Sequence, residues 1–442
     1  MKDLTVGKES SLILRFAMPM LLGNVFQQLY NVVDSIVVGQ FIGKEALAAV
    51  GASFPIIFAF LSLLIGIATG STIVIAQYFG AKDIEKVKRT INTLFIFLII
   101  ASIIVSIVSI YFSEDLFRLL QLPEEIMPQA KLYFNIFMGG IIVSFGFNGI
   151  SAILRGLGDS KTPLYFMIIA TLVNIILDLL FVLVFKWGIA GVAVATVIAQ
   201  GGAFVTAVIY LNRTHKIIQF SFKDLRFDWE IFYKSIRIGL PTGIQQTFVA
   251  LGMMALVSIV NRFGTNVIAA YSVATRIDSL ASMPAMNFSA ALSSFVGQNI
   301  GAKKIDRVRA GFIATLKMSS IISVIVSAVV LIFGNFIVRL FTNDPEVIRI
   351  GKEYLVIVGA FYIVFSSMFV IAGVMRGAGD TLIPMFISLI ALWIIRIPTA
   401  WILSQRLGEI GIWWAIPIGW CVGVTLSYIY YKTGNWKRKT VI

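Results

Sequence analysis

Apolar residues run along this chain in long stretches, separated by short clusters of charge, glycine and proline. A helix needs about 20 mostly apolar residues to cross the hydrocarbon of a bilayer. Twelve such runs can be read, at roughly 12–40, 48–78, 91–112, 129–154, 163–186, 189–211, 232–261, 267–298, 311–335, 350–374, 382–404 and 410–431. Several are longer than one crossing needs, which predicts tilt, kinks or protrusion rather than additional crossings. The predicted class is an all-α membrane protein with twelve transmembrane helices.

Composition narrows the field further. Of 442 residues, 58% are hydrophobic and only 13% charged, too little charge to cover a soluble surface of this size. That excludes a soluble enzyme, a disordered chain, a coiled coil and a nucleic-acid module. One cysteine, Cys421, and one histidine, His215, exclude a disulfide framework and a Cys/His metal site. The net charge of +14 is mostly a topology signal. Of the 36 basic residues, 25 fall on the side of the termini and the even-numbered loops and 9 on the other, with Arg276 and Arg396 inside helices. The opposite loops carry Glu114, Asp115, Glu124, Glu125, Asp344 and Glu346. The positive-inside rule therefore predicts cytoplasmic termini. Met1–Ser11 is polar and the first apolar run too long for an h-region, so no cleavable signal peptide is expected.

The chain repeats itself. Gln77-Tyr-Phe-Gly-Ala-Lys-Asp-Ile-Glu-Lys-Val-Lys88 returns as Gln298-Asn-Ile-Gly-Ala-Lys-Lys-Ile-Asp-Arg-Val-Arg309. Arg155-Gly-Leu-Gly-Asp-Ser-Lys-Thr-Pro163 returns as Arg376-Gly-Ala-Gly-Asp-Thr-Leu-Ile-Pro384. Both pairs keep one offset, half of the chain, and Gly43 and Gly264 keep it too; Pro19 and Pro241 miss it by a single position. Chance matches would not share one offset. Six spans per half is an even number, so the halves run in the same direction and form two pseudo-symmetric six-helix bundles, a parallel-repeat design known among secondary transporters. The expected organisation is an N-terminal bundle over 1–211, an amphipathic cytoplasmic linker over 212–230 containing Phe220, Phe222, Phe227 and Trp229, a C-terminal bundle over 231–431, and a basic tail over 432–442. The glycines of the Arg-Gly-x-Gly-Asp turns permit a tight helix–helix connection, and the aspartate can cap the following helix; a gating role is the other reading. No GxxxxGK[ST] motif is present, which argues against ATP-driven transport within this chain.

Three acids lie inside spans: Asp34, Asp178 and Asp278. A carboxylate at the bilayer centre costs about 2.5–3.5 kcal/mol on insertion scales, so such residues are functional by default. In the first span Gln27, Asn31 and Asp34 share a helical face, with Tyr30 four residues before Asp34. In the fifth, Thr171, Asn174 and Asp178 form a second stripe; in the sixth, Thr196 and Gln200 form a third. Counting at 1.5 Å per residue puts Asp34, Asp178 and Thr196 roughly 10–12 Å below the outer surface. Shared depth lets the groups surround one small cation, or lets two acids share a proton. Alternatively each acid merely hydrates a water-filled cavity. The second half acts as a control: Ala255, Ile395 and Thr399 stand opposite Asp34, Asn174 and Asp178, so the duplicated architecture does not itself require the acids.

The second half has Arg276, Asp278 and Arg396 instead. Asp278 is expected to pair with Arg396 across the bundle; contact with a substrate is the other reading. Asn148, Gln245, Gln246 and Asn287 could line a substrate path or simply bond between helices. Met253, Met283 and Met286, with Met254, Phe248 and Phe288, offer a soft apolar surface of the kind that accommodates varied ligands, or ordinary packing. Pro19 removes a hydrogen bond from the first helix and is either a hinge that responds to Asp34 or a static kink.

Asn31-Val-Val-Asp34-Ser-Ile-Val-Val-Gly39, followed by Gly43 and Ala46-Leu-Ala-Ala-Val-Gly51, resembles the first-helix signature of the multidrug and toxic compound extrusion (MATE) family. The Gln-x-x-Gly-Ala and Arg-Gly-x-Gly-Asp-x-x-x-Pro repeats extend the resemblance over nearly the whole chain. It implies two six-helix bundles in a V-shaped arrangement and export of organic cations or other toxic compounds, by alternating access, against inward H⁺ or Na⁺. Asp34, Asn174, Asp178 and Thr196 match the coupling positions of the prokaryotic subgroup with paired acids in the N-terminal bundle, and could hold either ion; Pro19 matches its hinge. The seventh span lacks a carboxylate near Ala255, which argues against a C-terminal Na⁺ site. The resemblance thus predicts a monomeric antiporter of a bacterial or archaeal plasma membrane, with small-molecule drugs and membrane lipids as partners, no nucleic acid, no cofactor and no enzymatic activity. A flippase for a lipid-linked precursor is the rival, and would call for several unpaired basic residues at depth.

Overall fold

The computed structural model describes residues 2–214 and 226–441, and every regular element among them is helical. Phe220, Phe222 and His215 lie outside the described residues. The chain divides into two compact units, Met1–Lys2 with Pro19–Gly243 and Asp3–Met18 with Ile244–Ile442.

The first unit takes most of α1 (Glu9–Val37), then α2 (Lys44–Gly80), α3 (Ile84–Tyr111), a short α4 (Ser113–Leu119), α5 (Met127–Gly139), α6 (Ile141–Gly156), α7 (Lys161–Leu179), α8 (Gly188–Thr214) and the start of α9 (Trp229–Val260). The second takes the rest of α9, then α10 (Thr265–Gly301), α11 (Ile305–Arg339), α12 (Pro345–Gly359), α13 (Tyr362–Ala378), α14 (Leu382–Leu389), α15 (Ile397–Leu407) and α16 (Glu409–Thr433). Nine helical segments among the described residues are long and apolar enough to cross a membrane. Two further crossings are broken helices, α5–α6 bent by 50° and α12–α13 bent by 47°. The twelfth is α10, which has 37 residues but carries Arg276, Asp278 and a series of Ser, Thr and Asn positions. Twelve crossings in two bundles agree with the hydropathy pattern.

Duplication is visible in the backbone. Gly43 and Gly264 have φ of 123° and 91°, and each starts the long second helix of its repeat; a side chain there would be strained. Lys82 and Lys303, equivalent positions of the two copies, both adopt the left-handed region at φ 61° and 59°. The aspartates of the Arg-Gly-x-Gly-Asp turns diverge. Asp159 caps α7, accepting from the backbone N–H of Lys161 (3.0 Å) and Thr162 (3.1 Å) and from the Thr162 hydroxyl (2.7 Å). In the second copy Ile383 replaces that threonine, and Asp380 instead accepts from the Tyr430 hydroxyl at 2.6 Å.

Unit boundaries differ from the expected 1–211 and 231–431. The segment before α1 is fastened to the second unit: Leu4 N–H donates to Gln298 Oε1 (2.9 Å), Asn299 Nδ2 to the Leu4 carbonyl (3.2 Å), Lys304 Nζ to the Thr5 carbonyl (3.0 Å) and Arg307 to the Gly7 carbonyl (2.8 Å), while Arg307 pairs with Glu9 at 2.7 Å. A sequence signal announces this. Lys2-Asp3-Leu4 recurs as Lys223-Asp224-Leu225 and Glu9 as Glu230, so the repeat begins before the first apolar run, and the latter part of the linker is the leading segment of the second copy.

The start of α9 joins the first unit because small residues let it approach α2 backbone to backbone. A Cβ added at Gly66 would stand 2.6 Å from Gly243 N, and one added at Gly70 2.6 Å from Gly239 N. Gly66-x-x-x-Gly70 against Gly239-x-x-x-Gly243 is a small-residue crossing of the kind that packs membrane helices. Gly66→Val should force these helices apart and lower the thermal midpoint of the purified protein, at a cost of about 1–3 kcal/mol. Gly51→Ala, on the same helix with open space around it, should leave the midpoint unchanged or raise it slightly. Thermal unfolding in detergent compares the two.

Candidate functional site

Three helices of the first unit converge on a buried polar cluster. Asp34 lies near the end of α1 at 7% exposure, and Asp178 near the end of α7 at 0%. Each precedes a short π-helical segment, Val38–Ile42 and Leu180–Val184. Such segments leave the regular ladder and often accompany functional positions. The two carboxyls are close enough to interact with each other. Tyr30, one turn before Asp34, donates its hydroxyl to Thr196 Oγ1 on α8 at 2.9 Å, and Thr196 donates onward to the Val192 carbonyl at 3.1 Å. Asn174, one turn before Asp178, is 1% exposed.

The decisive feature is what these groups lack. Among the described residues no hydrogen-bond partner satisfies Asp34 Oδ1, either carboxylate oxygen of Asp178, or either polar atom of the Asn174 amide, although all five atoms are buried. Ion pairs within 4 Å also leave Asp34 and Asp178 out. Native interiors pair nearly all such atoms, and an unpaired buried carboxylate is costly. Two ionised carboxylates only accept hydrogen bonds, so facing each other they require a proton or a metal cation between them. The donor set of two carboxylates, an amide oxygen and a hydroxyl suits a small hard cation.

Tyr133 on α5 completes the surroundings, buried and within electrostatic reach of Asp34, Asp178 and Tyr30. Sequence reasoning passed over it, although a signal exists: Tyr354 holds the equivalent position of the second copy and donates to the intramembrane Asp278 at 3.3 Å. Other expected members stand apart. Gln27 is exposed, and so is Asn31, which donates to Gln28 Oε1 at 3.3 Å. Thr171 turns its hydroxyl to the Met167 carbonyl of its own helix (2.8 Å). Gln200 is hydrogen-bonded to Ser144 on α6. Pro19 is buried inside an unbroken α1, at the point where that helix passes from the second unit to the first.

Residues expected along a substrate path divide similarly. Asn148 donates to the Ser144 carbonyl (2.8 Å) and borders a shallow crevice with Leu61, Leu64, Leu98 and Phe145. Gln245 donates to Ser388 Oγ (2.7 Å), and Asn287 is buried with its amide on the Met283 carbonyl (2.9 Å). Gln246, Met253, Met254, Met286 and Arg276 are exposed, and Met283 is half-buried. Phe248 is exposed with its ring edge-on to Trp393, while Phe288 is buried. Asp278 and Arg396 belong to one cluster of the second unit, yet no ion pair within 4 Å joins them.

The MatE family model matches residues 19–180 and again 241–402, once per repeat and more than half of the chain in all. The chain belongs to the MATE family. It is 35% identical over 435 residues to the "Probable multidrug resistance protein YpnP" of Bacillus subtilis (strain 168), covering 98% of this chain and 97% of that protein. It is 27% identical over 449 residues to the "Probable multidrug resistance protein NorM" of Thermotoga maritima, covering 97% and 94%. The solved structure "Crystal structure of MATE in complex with MaD3S" superposes with a TM-score of 0.93 at 25% identity, over 99% of each chain. As a MATE protein the chain is a membrane transporter and not an enzyme.

Close packing of two acceptor-only groups has a measurable consequence for this MATE protein. In alkaline, Na⁺-free buffer, Asp178→Asn should be more thermostable than the parent, because it replaces one of two facing charges with a group that can donate. Acidification or added Na⁺ should narrow the gap, since either supplies the parent with its missing counter-charge. Thermal midpoints measured at two pH values, with Na⁺ against choline, check this.

Proposed function

We propose that this MATE protein is a secondary multidrug antiporter, with Asp34, Asn174, Asp178 and Thr196 of the N-terminal bundle as the site of the driving cation. The observation that supports this reading is the set of five buried, partnerless atoms on Asp34, Asn174 and Asp178. A network that exchanges an ion must keep oxygen donors free to receive it, and here two carboxyls and an amide are free together.

The mechanism follows from linkage. A cation gradient can drive drug outward only if drug and cation favour different conformations of the transporter. Cation entry between Asp34 and Asp178 removes their repulsion and lets the end of α1 settle against α7 and α8. Cation exit restores the repulsion. Tyr30 carries this change into α8 through its hydrogen bond to Thr196, and Pro19, lower in α1, is where that helix can bend because proline leaves one carbonyl without its helical partner. With the basic loops cytoplasmic, inward H⁺ or Na⁺ flow drives release of amphiphilic or cationic compounds to the outside. The exposed methionines Met253, Met254 and Met286 of the second unit suit such varied ligands, because thioether chains repack at low cost.

Dye export from proteoliposomes under separately imposed H⁺ and Na⁺ gradients tests the proposal. Export should respond to one gradient, and Asp34→Asn should reduce it to the level of empty liposomes while eluting as a folded protein. Full gradient-driven export by Asp34→Asn would refute the coupling assignment.

A further inference from the structure

The basic tail that follows α16 is folded onto the second unit. The helix stops at Gly434, which takes the left-handed region at φ 71° and returns its N–H to the Tyr431 carbonyl at 3.2 Å. A 3₁₀ turn follows, Asn435–Arg438, and Trp436 within it is 2% exposed. The Trp436 indole N–H donates to the Tyr431 carbonyl at 3.0 Å, and its ring stacks on Tyr431 with centroids 5.5 Å apart. Tyr431 in turn lies 4.8 Å from the ring of Phe312 on α11. Backbone hydrogen bonds from Lys437 to Gly434 (3.1 Å) and from Lys439 to Trp436 (3.2 Å) carry this order through the basic run.

The turn therefore holds a group of cations in place, and nothing in the second unit neutralises them. Lys432, Lys437, Arg438 and Lys439 are exposed, as is Arg309, one turn before Phe312 on α11. Among the described residues none of the five belongs to an ion pair within 4 Å. No acid follows Glu409 in the sequence, and Glu409 starts α16 at its far end, about 36 Å away at 1.5 Å per residue. Asp380, in the connection after α13, is buried and accepts from the Tyr430 hydroxyl at 2.6 Å. Asp306, exposed at the start of α11, forms no ion pair either. Other basic residues on this side of the chain do have acids: Lys86 pairs with Asp83, Arg89 with Glu85, Lys234 with Glu230 and Arg307 with Glu9. The tail is flanked by an apolar and aromatic face of α16. Tyr428 is 48% and Ile429 57% exposed, and Lys432 Nζ sits 5.4 Å over the Tyr428 ring, an arrangement that suits the boundary between hydrocarbon and headgroups.

We propose that this fixed basic turn is a binding surface for anionic phospholipid headgroups in the leaflet at the end of α16, which the positive-inside rule makes the cytoplasmic one. Lysines and arginines directly beside a crossing attract anionic lipid, whereas a zwitterionic headgroup brings its own cation and gains little. Trp436 makes the surface a built one: by burying its indole it presents Lys437, Arg438 and Lys439 together at the membrane boundary. The surface lies outside the Asp34/Asp178 cluster, and its lipid affinity does not depend on how transport is coupled.

The experiment titrates the purified full chain in detergent with phosphatidylglycerol or phosphatidylcholine of the same acyl chains, and counts bound lipid by native mass spectrometry. The parent should bind phosphatidylglycerol roughly tenfold more tightly than phosphatidylcholine. Lys437→Gln/Arg438→Gln/Lys439→Gln alters exposed side chains alone; it should elute as the parent does and lose most of that preference, with phosphatidylcholine binding unchanged. Trp436→Ala keeps every charge but frees the turn, and should lose part of the preference. Equal binding of the two lipids by the parent, or an undiminished preference in the triple variant, would overturn the proposal. Displacement of phosphatidylglycerol by equimolar glycerol 3-phosphate would overturn the lipid as its ligand in favour of a soluble phosphate. A full preference in Trp436→Ala would overturn the role given to the folded turn.

Discussion

Two carboxyl groups that adjoin one another in a low-dielectric bundle, with no basic side chain among the described residues in an ion pair with them, set the terms for the rest of this molecule. Repulsion between like charges is weak in water and severe where water is scarce. Asp34 and Asp178 interact with each other, and Asp178 has no exposure at all. Such a pair persists only if a proton or a cation offsets one of the charges. Its surroundings fit that requirement: Asn174 keeps both polar atoms unspent, while Thr196 is fixed by Tyr30 and by its own helix. Unspent and fixed polar groups thus sit side by side.

The contrast between the units gives the pair its meaning. Both descend from one repeat and share its left-handed lysines, its glycine-started second helix and the tyrosine of its fourth crossing. Only one kept two acids. The other has a single acid and an arginine, together with a tyrosine bond to the acid. The duplicated architecture and the acid pair are therefore separable in sequence. The fold uses the small-residue approach of Gly66 and Gly70 to Gly239 and Gly243 and the anchoring of Leu4 through Glu9; the second copy is built with Ala255 and Thr399 where the first has Asp34 and Asp178.

Much of this was legible in the sequence because period and charge are coarse signals. Twelve crossings followed from apolar run length, and the duplication from a constant offset. The polar stripes on the first, fifth and sixth crossings followed from helical spacing. What spacing cannot give is rotation about the helix axis. Asn31 shares a calculated face with Asp34, yet it is exposed and bonded to Gln28; the turn that carries Asp34 inward leaves its neighbour outside. Nor does hydropathy reveal which unit a helix end joins. Asp3–Met18 belongs to the second unit, with hydrogen bonds from its backbone to the Gln298 and Asn299 side chains, which have no apolar signature, although the recurrence of Lys-Asp-Leu marked the place. Tyr133 was missed because an isolated tyrosine in a crossing is common; only its match with Tyr354 distinguishes it.

The most direct test of the central claim is infrared difference spectroscopy on the purified transporter, recorded as drug is added at constant pH with and without Na⁺. If Asp34 and Asp178 hold the exchangeable cation, drug binding changes the carboxyl bands, as a lost protonated C=O stretch for H⁺ or a shifted carboxylate stretch for Na⁺. That signal disappears when Asp34 is replaced by asparagine. A carboxyl response to drug that persists unchanged in the Asp34→Asn protein, or no carboxyl response in the parent, would contradict the account.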